Sequence, residues 1–142
     1  MATDLNKQDI TILNILQKDA SKTSTEIAET LNMSQSPCWR RINRIEQNGL
    51  IQKRVAILDR EKLGMELVVF TTVNLTTVGR QYLEDFEDAV RVLPEVVECY
   101  TMTGIWDYML EIVARDIRHY EVFVRERLLS LPMEGETHSN IA

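Results

Sequence analysis

A chain of 142 residues is long enough for one domain or for two small ones. Its residues are 44% hydrophobic and 27% charged, a balance typical of a globular protein rather than a disordered one. No apolar run reaches the roughly 18 residues of a membrane span, and no signal peptide is visible. We therefore expect a cytoplasmic protein with no membrane partner.

The net charge of −6 is distributed unevenly along the chain. Residues 1–63 hold 10 Lys+Arg and 8 Asp+Glu, whereas residues 64–142 hold 6 and 14. A polyanionic partner such as double-stranded DNA is therefore expected to bind the first half only.

Cysteine and histidine usage argues against a metal or disulfide site. Cys38 and Cys99 are far apart and lack CxxC spacing, which predicts reduced, partly buried thiols. His119 and His138 are too sparse to suggest a metal site. We expect no cofactor and no metal.

The first predicted helix begins after Asn6 and ends near residues 18–20. Asn6 is the expected N-cap, and Asp9 lies in the first turn, where the helix dipole favours a negative charge. The apolar side follows helical spacing and comprises Ile10, Leu13 and Leu16, with Ile12 beside it.

Two further helices follow in quick succession. Residues 23–26 match the S/T-x-x-E capping box and open a short helix. Residues 31–34 are its only link to a third helix, which Ser34 or Ser36 can cap and which Gly49 is expected to end. Two short helices joined by so tight a turn predict a helix-turn-helix, whose second helix enters the major groove of DNA.

The third helix presents a side rich in hydrogen-bond donors. Cys38, Ile42 and Ile45 share one side, and the opposite side holds no acid and no large apolar residue. A solvated basic surface is the simpler alternative, but the helix-turn-helix context favours DNA reading by Arg40 and Arg44. For Trp39 packing is favoured over a base contact, and for Arg41 a salt bridge or a phosphate contact is favoured over base readout. The predicted DNA-binding residues are Ser34, Gln35, Ser36, Pro37, Arg40, Arg41, Asn43, Arg44, Lys53 and Arg54.

The segment after this helix predicts a wing. Residues 50–58 are enriched in β-branched residues and are basic in the middle, which predicts a strand with Lys53 and Arg54 near phosphates. The polar stretch that follows ends in a glycine and predicts a hinge. We therefore divide the chain into a winged helix-turn-helix domain (1–58), a linker (59–65) and a second domain (66–142).

The second half predicts a β-α-β-β-α-β order, which is the ferredoxin-like motif, so that the fold class is α+β. The predicted elements are a strand over 67–75, a helix over 82–93, strands over 96–102 and 108–114, a helix over 117–131 and a strand over 136–142. Two helices cover one side of the sheet, and nothing in the chain covers the other. Apolar residues point to both sides, so the uncovered side predicts self-association.

These features together resemble the Lrp/AsnC ("feast/famine") transcriptional regulators. The first half contains Ser34-x-Ser36-Pro37-Cys38-x-x-Arg41-Ile42 and Glu46-x-x-Gly49-Leu50-Ile51, and the second contains Thr103-Gly104-x-x-Asp107-Tyr108. The resemblance implies a homodimer that assembles into a tetramer or octamer, an amino acid bound between dimers, and control of amino-acid metabolism. The effector-binding residues that it implies are Thr101, Thr103, Gly104, Ile105, Trp106, Asp107, Thr137 and Ser139.

The chain departs from the family pattern at its end. Residues 131–134 read Leu-Pro-Met-Glu where the family usually has Leu-Pro-Gly-Val, and family members usually extend beyond residue 142. The last strand is therefore expected to be short.

The loop over residues 103–107 has two interpretations. From the residues alone a simple hairpin turn is favoured, because Gly and Asp are common in turns. The resemblance favours a ligand site, in which the backbone opened by Gly104 and the carboxylate of Asp107 would accept the α-amino group of an amino acid. Trp106 either anchors the loop or walls a pocket.

The predicted function is a sequence-specific, nucleoid-associated transcriptional regulator that responds to an amino acid or a related small effector. The alternative is an architectural DNA-binding protein without an effector. An enzyme is disfavoured because no nucleophile–base pair or Gly-rich phosphate loop is visible. The acidic run Glu84, Asp85, Glu87 and Asp88 predicts a solvated helix surface.

Overall fold

The computed structural model describes residues 4–76, 79–131 and 134–142, and the chain divides into two compact units, Met1–Ile57 and Leu58–Ala142. Within these residues the first unit holds helices α1 (Lys7–Leu16), α2 (Ser24–Thr30) and α3 (Gln35–Gln47). The second unit holds β1 (Leu67–Leu75), α4 (Arg80–Arg91), β2 (Val96–Thr101), β3 (Tyr108–Ala114), α5 (Ile117–Phe123) and β4 (Glu134–Ile141). A π-helical turn, Val124–Leu128, extends α5. None of the described helices is long and apolar enough to cross a membrane.

Helix α1 begins at the predicted N-cap. The Asn6 side chain accepts a hydrogen bond from the Asp9 backbone N–H at 2.9 Å, and the Asp9 carboxylate accepts one from the Asn6 N–H at 3.2 Å. The predicted buried side was partly wrong, because Ile10 is 49% exposed whereas Asp9, Ile12 and Leu16 are buried. A carboxylate can occupy the buried side here because arginines pair with it, as described below.

The turn between α2 and α3 is fixed by local hydrogen bonds. The capping box of Thr23 and Glu26 forms as predicted. Asn32 follows the C-cap of helix α2 and adopts a left-handed conformation with φ 50°. The N–H of Met33 donates to the Ala28 carbonyl at 3.0 Å. This is the Schellman arrangement, and it reverses the chain within a few residues.

Helix α3 ends in the same way, at the predicted glycine. Gly49 has φ +71°, and its N–H donates to the Glu46 carbonyl at 3.0 Å. Leu50 donates to the Ile45 carbonyl at 3.3 Å. The three helices enclose one apolar cluster, formed by Ile12, Leu16, Ile27, Ala28, Cys38, Ile42 and Ile45.

The predicted wing strand is not formed. Residues 50–58 adopt no regular structure, and Val55, Ile57 and Leu58 are exposed, Ile57 to 96%. A strand needs a neighbour to accept its ladder hydrogen bonds, and no strand in the described part of the chain pairs with this segment. β-Branched composition alone was therefore misleading.

The predicted hinge is a compact turn. The N–H of Met65 donates to the Arg60 carbonyl at 2.8 Å, and the Arg60 guanidinium donates back to the carbonyls of Met65 and Glu66. Gly64 adopts φ +74° within this turn. The segment that the composition predicted to be a linker is therefore ordered by its own hydrogen bonds.

The second unit is an antiparallel sheet with strand order β2-β3-β1-β4. This is the ferredoxin-like order, and it confirms the α+β fold class. The helices pack on one side of the sheet around an apolar cluster of Val69, Val73, Phe86, Val90, Tyr108, Leu110, Ile112, Phe123 and Leu128. The last strand begins two residues earlier than predicted. The chain departs from the family pattern at Met133 and Glu134, and Met133, like Pro132, lies outside the described residues.

The other side of the sheet is not covered by any described helix of the second unit. Alternate residues of β1 point to it, so that Val68, Phe70 and Thr72 are half-buried while Val69, Thr71 and Val73 are buried on the helix side. We call the open side, with Val68, Phe70, Thr72, Tyr100, Met109, Glu111, Val113, His138 and Asn140, the open face.

Candidate DNA interface and effector loop

The start of α3 presents short polar side chains. Ser34 is the N-cap residue, but its side chain makes no capping hydrogen bond. Ser34 and Ser36 are both exposed. Gln35 is also exposed and donates from Nε2 to Thr25 Oγ1 at 2.7 Å, which ties the start of α3 to α2. Of the other predicted contacts, Pro37 and Asn43 are half-buried.

The three arginines of α3 lie in different environments. Arg41 Nη1 lies 3.1 Å from Asp9 Oδ1, and Arg44 Nη2 lies 2.7 Å from Asp9 Oδ2. Their side chains are 27% and 54% exposed, whereas the Asp9 side chain is 0% exposed. Arg40 is exposed, and no ion pair joins it to any residue that the structure describes. The salt bridge predicted for Arg41 is present, but the one at Arg44 was not anticipated.

Asp9 was missed as part of this site. Sequence reasoning assigned it to the first turn of α1, which is correct, but its two oxygens also accept from both guanidinium groups. A buried carboxylate is costly unless it is paired and hydrogen-bonded. The available signal was an acid at helical spacing with Ile12 and Leu16, since an acid on an apolar side needs cationic partners.

Trp39 is 56% exposed, so the packing role predicted for it was wrong. Helix α3 packs into the apolar cluster with the side that holds Cys38, Ile42 and Ile45, and Trp39 lies outside that side. It shares a shallow surface depression with three polar residues, which are Gln35, Ser36 and Arg40. An exposed indole beside a free guanidinium is a surface on which a sugar or a base can stack.

The two basic residues after α3 also differ. Lys53 is exposed, with no ion pair to any described residue. Arg54 donates to the Ala20 carbonyl at 2.9 Å and pairs with the Glu46 carboxylate. The guanidinium of Arg54 therefore holds this segment against the helices as well as adding positive charge.

The 103–107 loop is attached to the neighbouring strand β1. Asp107 Oδ2 accepts a hydrogen bond from the Leu75 N–H at 2.8 Å. The Asp107 N–H donates to the Val73 carbonyl at 3.1 Å and to the Asn74 side chain at 3.1 Å. One carboxylate oxygen thus has a structural partner, which is the part of the hairpin-turn interpretation that the geometry supports.

The rest of the loop is open to solvent. Thr103, Gly104 and Ile105 are exposed, and Gly104 has φ +123°, a conformation that side chains rarely adopt. Trp106 is half-buried and stacks on His138 of β4, with ring centroids 6.3 Å apart. Trp106 therefore anchors the loop across the open face.

The remaining effector residues lie on opposite edges of the sheet. Thr101 is on β2 and pairs with Tyr108, whereas Thr137 and Ser139 are on β4, at the other edge. Three strand spacings separate the edges, about 14 Å. Within one chain the structure therefore does not bring Thr101 together with Thr137 and Ser139.

Ser139 already has partners on the helix side of the sheet. Its Oγ lies 2.6 Å from the Tyr120 hydroxyl, which lies 2.8 Å from Thr71 Oγ1. This hydroxyl cluster joins α5 to β1 and β4. Ser139 thus has a structural role beside the one that the family resemblance implies.

The acidic run on α4 is not uniformly solvated. Glu84, Asp85 and Asp88 are exposed, but Glu87 is half-buried and accepts a hydrogen bond from the Tyr108 hydroxyl at 2.8 Å. Burial, and then the hydrogen bond to this carboxylate, raises the pKa of Tyr108.

The two cysteines differ from the prediction as well, since Cys38 is fully buried and Cys99 is exposed.

Both units match known protein families. Residues 5–52 match a family model described as winged helix-turn-helix DNA-binding, and residues 68–142 match one described as the Lrp/AsnC ligand binding domain. The transcriptional regulator AzlB of Bacillus subtilis is 36% identical over 132 residues, which cover 93% of this chain and 84% of that protein. The leucine-responsive regulatory protein of Escherichia coli is 34% identical over 138 residues, which cover 97% and 84%.

A solved structure agrees over the same length. The transcriptional regulator NMB0573 of Neisseria meningitidis, in complex with L-Met, has a TM-score of 0.92 and 33% sequence identity. The match covers 97% of this chain and 89% of that one. The chain therefore belongs to the Lrp/AsnC family of DNA-binding transcriptional regulators.

Proposed function

We propose that α3 reads DNA with its exposed side and that an amino acid or related small effector, bound at the 103–107 loop between dimers, controls that binding. The observation that carries the DNA part is the exposed side of α3, where the unpaired Arg40 adjoins Ser36 and Trp39. An unpaired guanidinium can donate two parallel hydrogen bonds to a guanine edge.

The basic residues around Arg40 divide into two groups. Lys53, which has no partner among the described residues, is proposed to bind a phosphate as a point charge. Arg41, Arg44 and Arg54 are already paired with carboxylates, so their remaining N–H groups are proposed to bind DNA from fixed positions. The phosphate contact proposed for Lys53 would set the register on the duplex, whereas base contacts select the sequence.

The effector part of the proposal rests on where the candidate effector residues lie in the second unit. The Asp107 carboxylate and the exposed backbone at Gly104 offer acceptors for an α-amino group. Thr101 lies on β2 and Thr137 and Ser139 lie on β4, at opposite edges of the sheet, so we propose that residues of a second copy complete the pocket. The similarity to the Neisseria regulator, which was solved with L-Met, supports an amino acid as the ligand class.

The open face of the sheet supports the proposal that the protein self-associates. The open face exposes half-buried apolar residues such as Val68, Phe70 and Met109, and it is the proposed dimer contact. We propose a homodimer that assembles further into a tetramer or octamer and that associates with the nucleoid. Two copies would then bind half-sites one helical turn of DNA, or a multiple of it, apart.

One observation favours the alternative of an architectural DNA-binding protein without an effector. The Asp107–Leu75 hydrogen bond explains the loop as a hairpin turn without any ligand. A thermal-shift screen of the full-length protein against the twenty amino acids separates the two functions. A shift with one or a few amino acids is expected, and no shift with any of them would favour the architectural function.

A further inference from the structure

We infer that Asp9 is a positioning residue for DNA recognition. Its buried carboxylate holds the guanidinium groups of Arg41 and Arg44 in fixed directions and thereby raises the preference of α3 for its target sequence over other DNA. The inference rests on the proposed DNA interface and adds to it a residue of α1, outside the recognition helix.

Both oxygens of the Asp9 carboxylate accept hydrogen bonds. Oδ1 accepts from Arg41 at 3.1 Å, and Oδ2 accepts from Arg44 at 2.7 Å and from the Asn6 N–H at 3.2 Å. The side chain is 0% exposed, so water does not compete for these bonds. The two arginines are 32 and 35 residues away in sequence, so one carboxylate joins α1 to two successive turns of α3.

Helix capping alone does not require this arrangement. The other capping box of the same unit serves as an internal comparison, because Glu26 accepts from the Thr23 N–H at 2.7 Å in the same way. Glu26 is exposed, and no ion pair links it to an arginine among the described residues. Capping is thus achieved at α2 by an exposed acid, and burial with two arginines is an additional property of Asp9.

A cleft beside these side chains fits a DNA phosphate. It has a volume of about 350 Å³ and is lined by Asn6, Pro37, Arg40, Arg41 and Arg44. Each guanidinium has five N–H donors, of which Asp9 takes one from Arg41 and one from Arg44. The remaining donors, together with the unpaired Arg40, give a positive cleft whose donors are held in place.

The restraint has opposite effects on specific and non-specific binding. Asp9 cancels part of the local positive charge, which weakens attraction to any phosphate. It also restricts two long side chains that would otherwise lose conformational freedom on binding, which favours the one duplex that matches their directions. Removing the negative charge should therefore reduce discrimination without reducing general affinity.

The test is Asp9→Asn in the full-length protein, with Glu26→Gln as the matched control. Asparagine retains an acceptor for the Asn6 N–H but loses the charge that orients the arginines. The probes are a duplex selected from a random pool by the wild-type protein and a scrambled duplex of the same composition. Binding is titrated at two salt concentrations, and folding is followed by thermal unfolding.

For Asp9→Asn we expect the ratio of selected to scrambled affinity to fall about tenfold, the size of one good base contact. The scrambled duplex should bind as well as before or more tightly, with a steeper salt dependence, and Glu26→Gln should leave the ratio unchanged. An unchanged ratio in folded Asp9→Asn would overturn the inference, and so would an equal loss on both duplexes, which is the signature of a purely structural role.

A second variant covers the case in which Asp9→Asn does not fold. Arg44→Lys retains the charge and the pairing with Asp9 but lacks the planar fork. It should lower the ratio without changing scrambled-duplex affinity, and an unchanged ratio would again overturn the inference. If the wild-type protein selects no duplex from the pool, the proposed DNA interface itself fails, and this outcome is distinct from the loss of the Asp9 role alone.

Discussion

The two units of this protein build their sites in different ways. The residues proposed to face DNA, Ser36, Trp39 and Arg40, come from adjacent turns of one helix, so a single chain presents them together. The candidate effector residues are divided between the two edge strands of the sheet, with Thr101 on β2 and Ser139 on β4. In the proposed function, DNA reading is thus a property of one helix, whereas effector sensing requires assembly. An effector bound between copies can act only by changing how those copies pack.

The largest effect is expected from preventing assembly, which tests whether the effector response depends on the oligomer. Phe70 lies half-buried on the open face, and Phe70→Asp would place an unpaired carboxylate in the proposed dimer contact. We expect this to cost about 3–5 kcal/mol per interface, enough to yield a monomer that lacks any effector response. Multi-angle light scattering at micromolar concentration measures the oligomer.

The control for this prediction is Tyr82→Asp. It makes a similar exchange of an aromatic residue for an acid on helix α4, away from the open face, at a residue that is already exposed. It should leave the oligomer intact. A Phe70→Asp protein that stays oligomeric would contradict the assignment of the open face.

The features predicted correctly from sequence are those that neighbouring residues determine. The N-cap at Asn6, the capping box at Thr23 and the Gly49 stop each depend on hydrogen bonds within five residues of the chain. The strand order follows equally well, because it is specified by hydrophobic patterns and short connections.

The features predicted wrongly depend on distant partners. The pairing of Asp9 with Arg44 spans 35 residues, and the spacing of Asp9 with Ile12 and Leu16 indicates that a cation is needed but not which one. The segment 50–58 has strand composition but no strand beside it in the described chain. Trp39 is exposed because no described helix of the first unit covers its side of α3, which local periodicity cannot show.

The second prediction concerns the residue that distinguishes the DNA unit. Arg40→Ala should weaken binding to a selected duplex by about 1–3 kcal/mol while changing binding to a scrambled duplex much less, if Arg40 reads a base. Gel-shift titration on both duplexes measures this. Arg118→Ala is a suitable control because it removes an exposed arginine of the other unit. Equal losses on both duplexes would show that Arg40 contacts only phosphate.

The third prediction sharpens the effector side of the comparison. Asp107→Asn retains an oxygen for the Leu75 N–H and removes the negative charge proposed to bind an α-amino group. We expect it to weaken the best ligand of the thermal screen by about 1.5 kcal/mol, as for a hydrogen bond to a charged group. Effector-free DNA binding and the oligomer should be unchanged.

Calorimetry of wild type and Asp107→Asn with that ligand gives the comparison. The coupling between ligand and DNA should be about 1–3 kcal/mol and reciprocal, so that DNA changes ligand affinity by the same factor. Identical ligand affinities in the two proteins would mean that Asp107 serves only the hairpin turn.

The smallest predicted effect separates two adjacent basic residues. Lys53 is free of described partners, so Lys53→Ala should weaken selected and scrambled duplexes alike and flatten the slope of log K against log salt by about 0.9, the contribution of one phosphate. Arg54 is instead held by Glu46 and the Ala20 carbonyl. Arg54→Ala should therefore lower the free energy of unfolding by about 0.5–1 kcal/mol, since an exposed ion pair contributes little, and should change the slope less. Salt titrations and thermal unfolding of both variants test the pair. If Arg54→Ala flattens the slope as much as Lys53→Ala and leaves stability unchanged, the ion pair with Glu46 opens when DNA binds, and both residues contact phosphate.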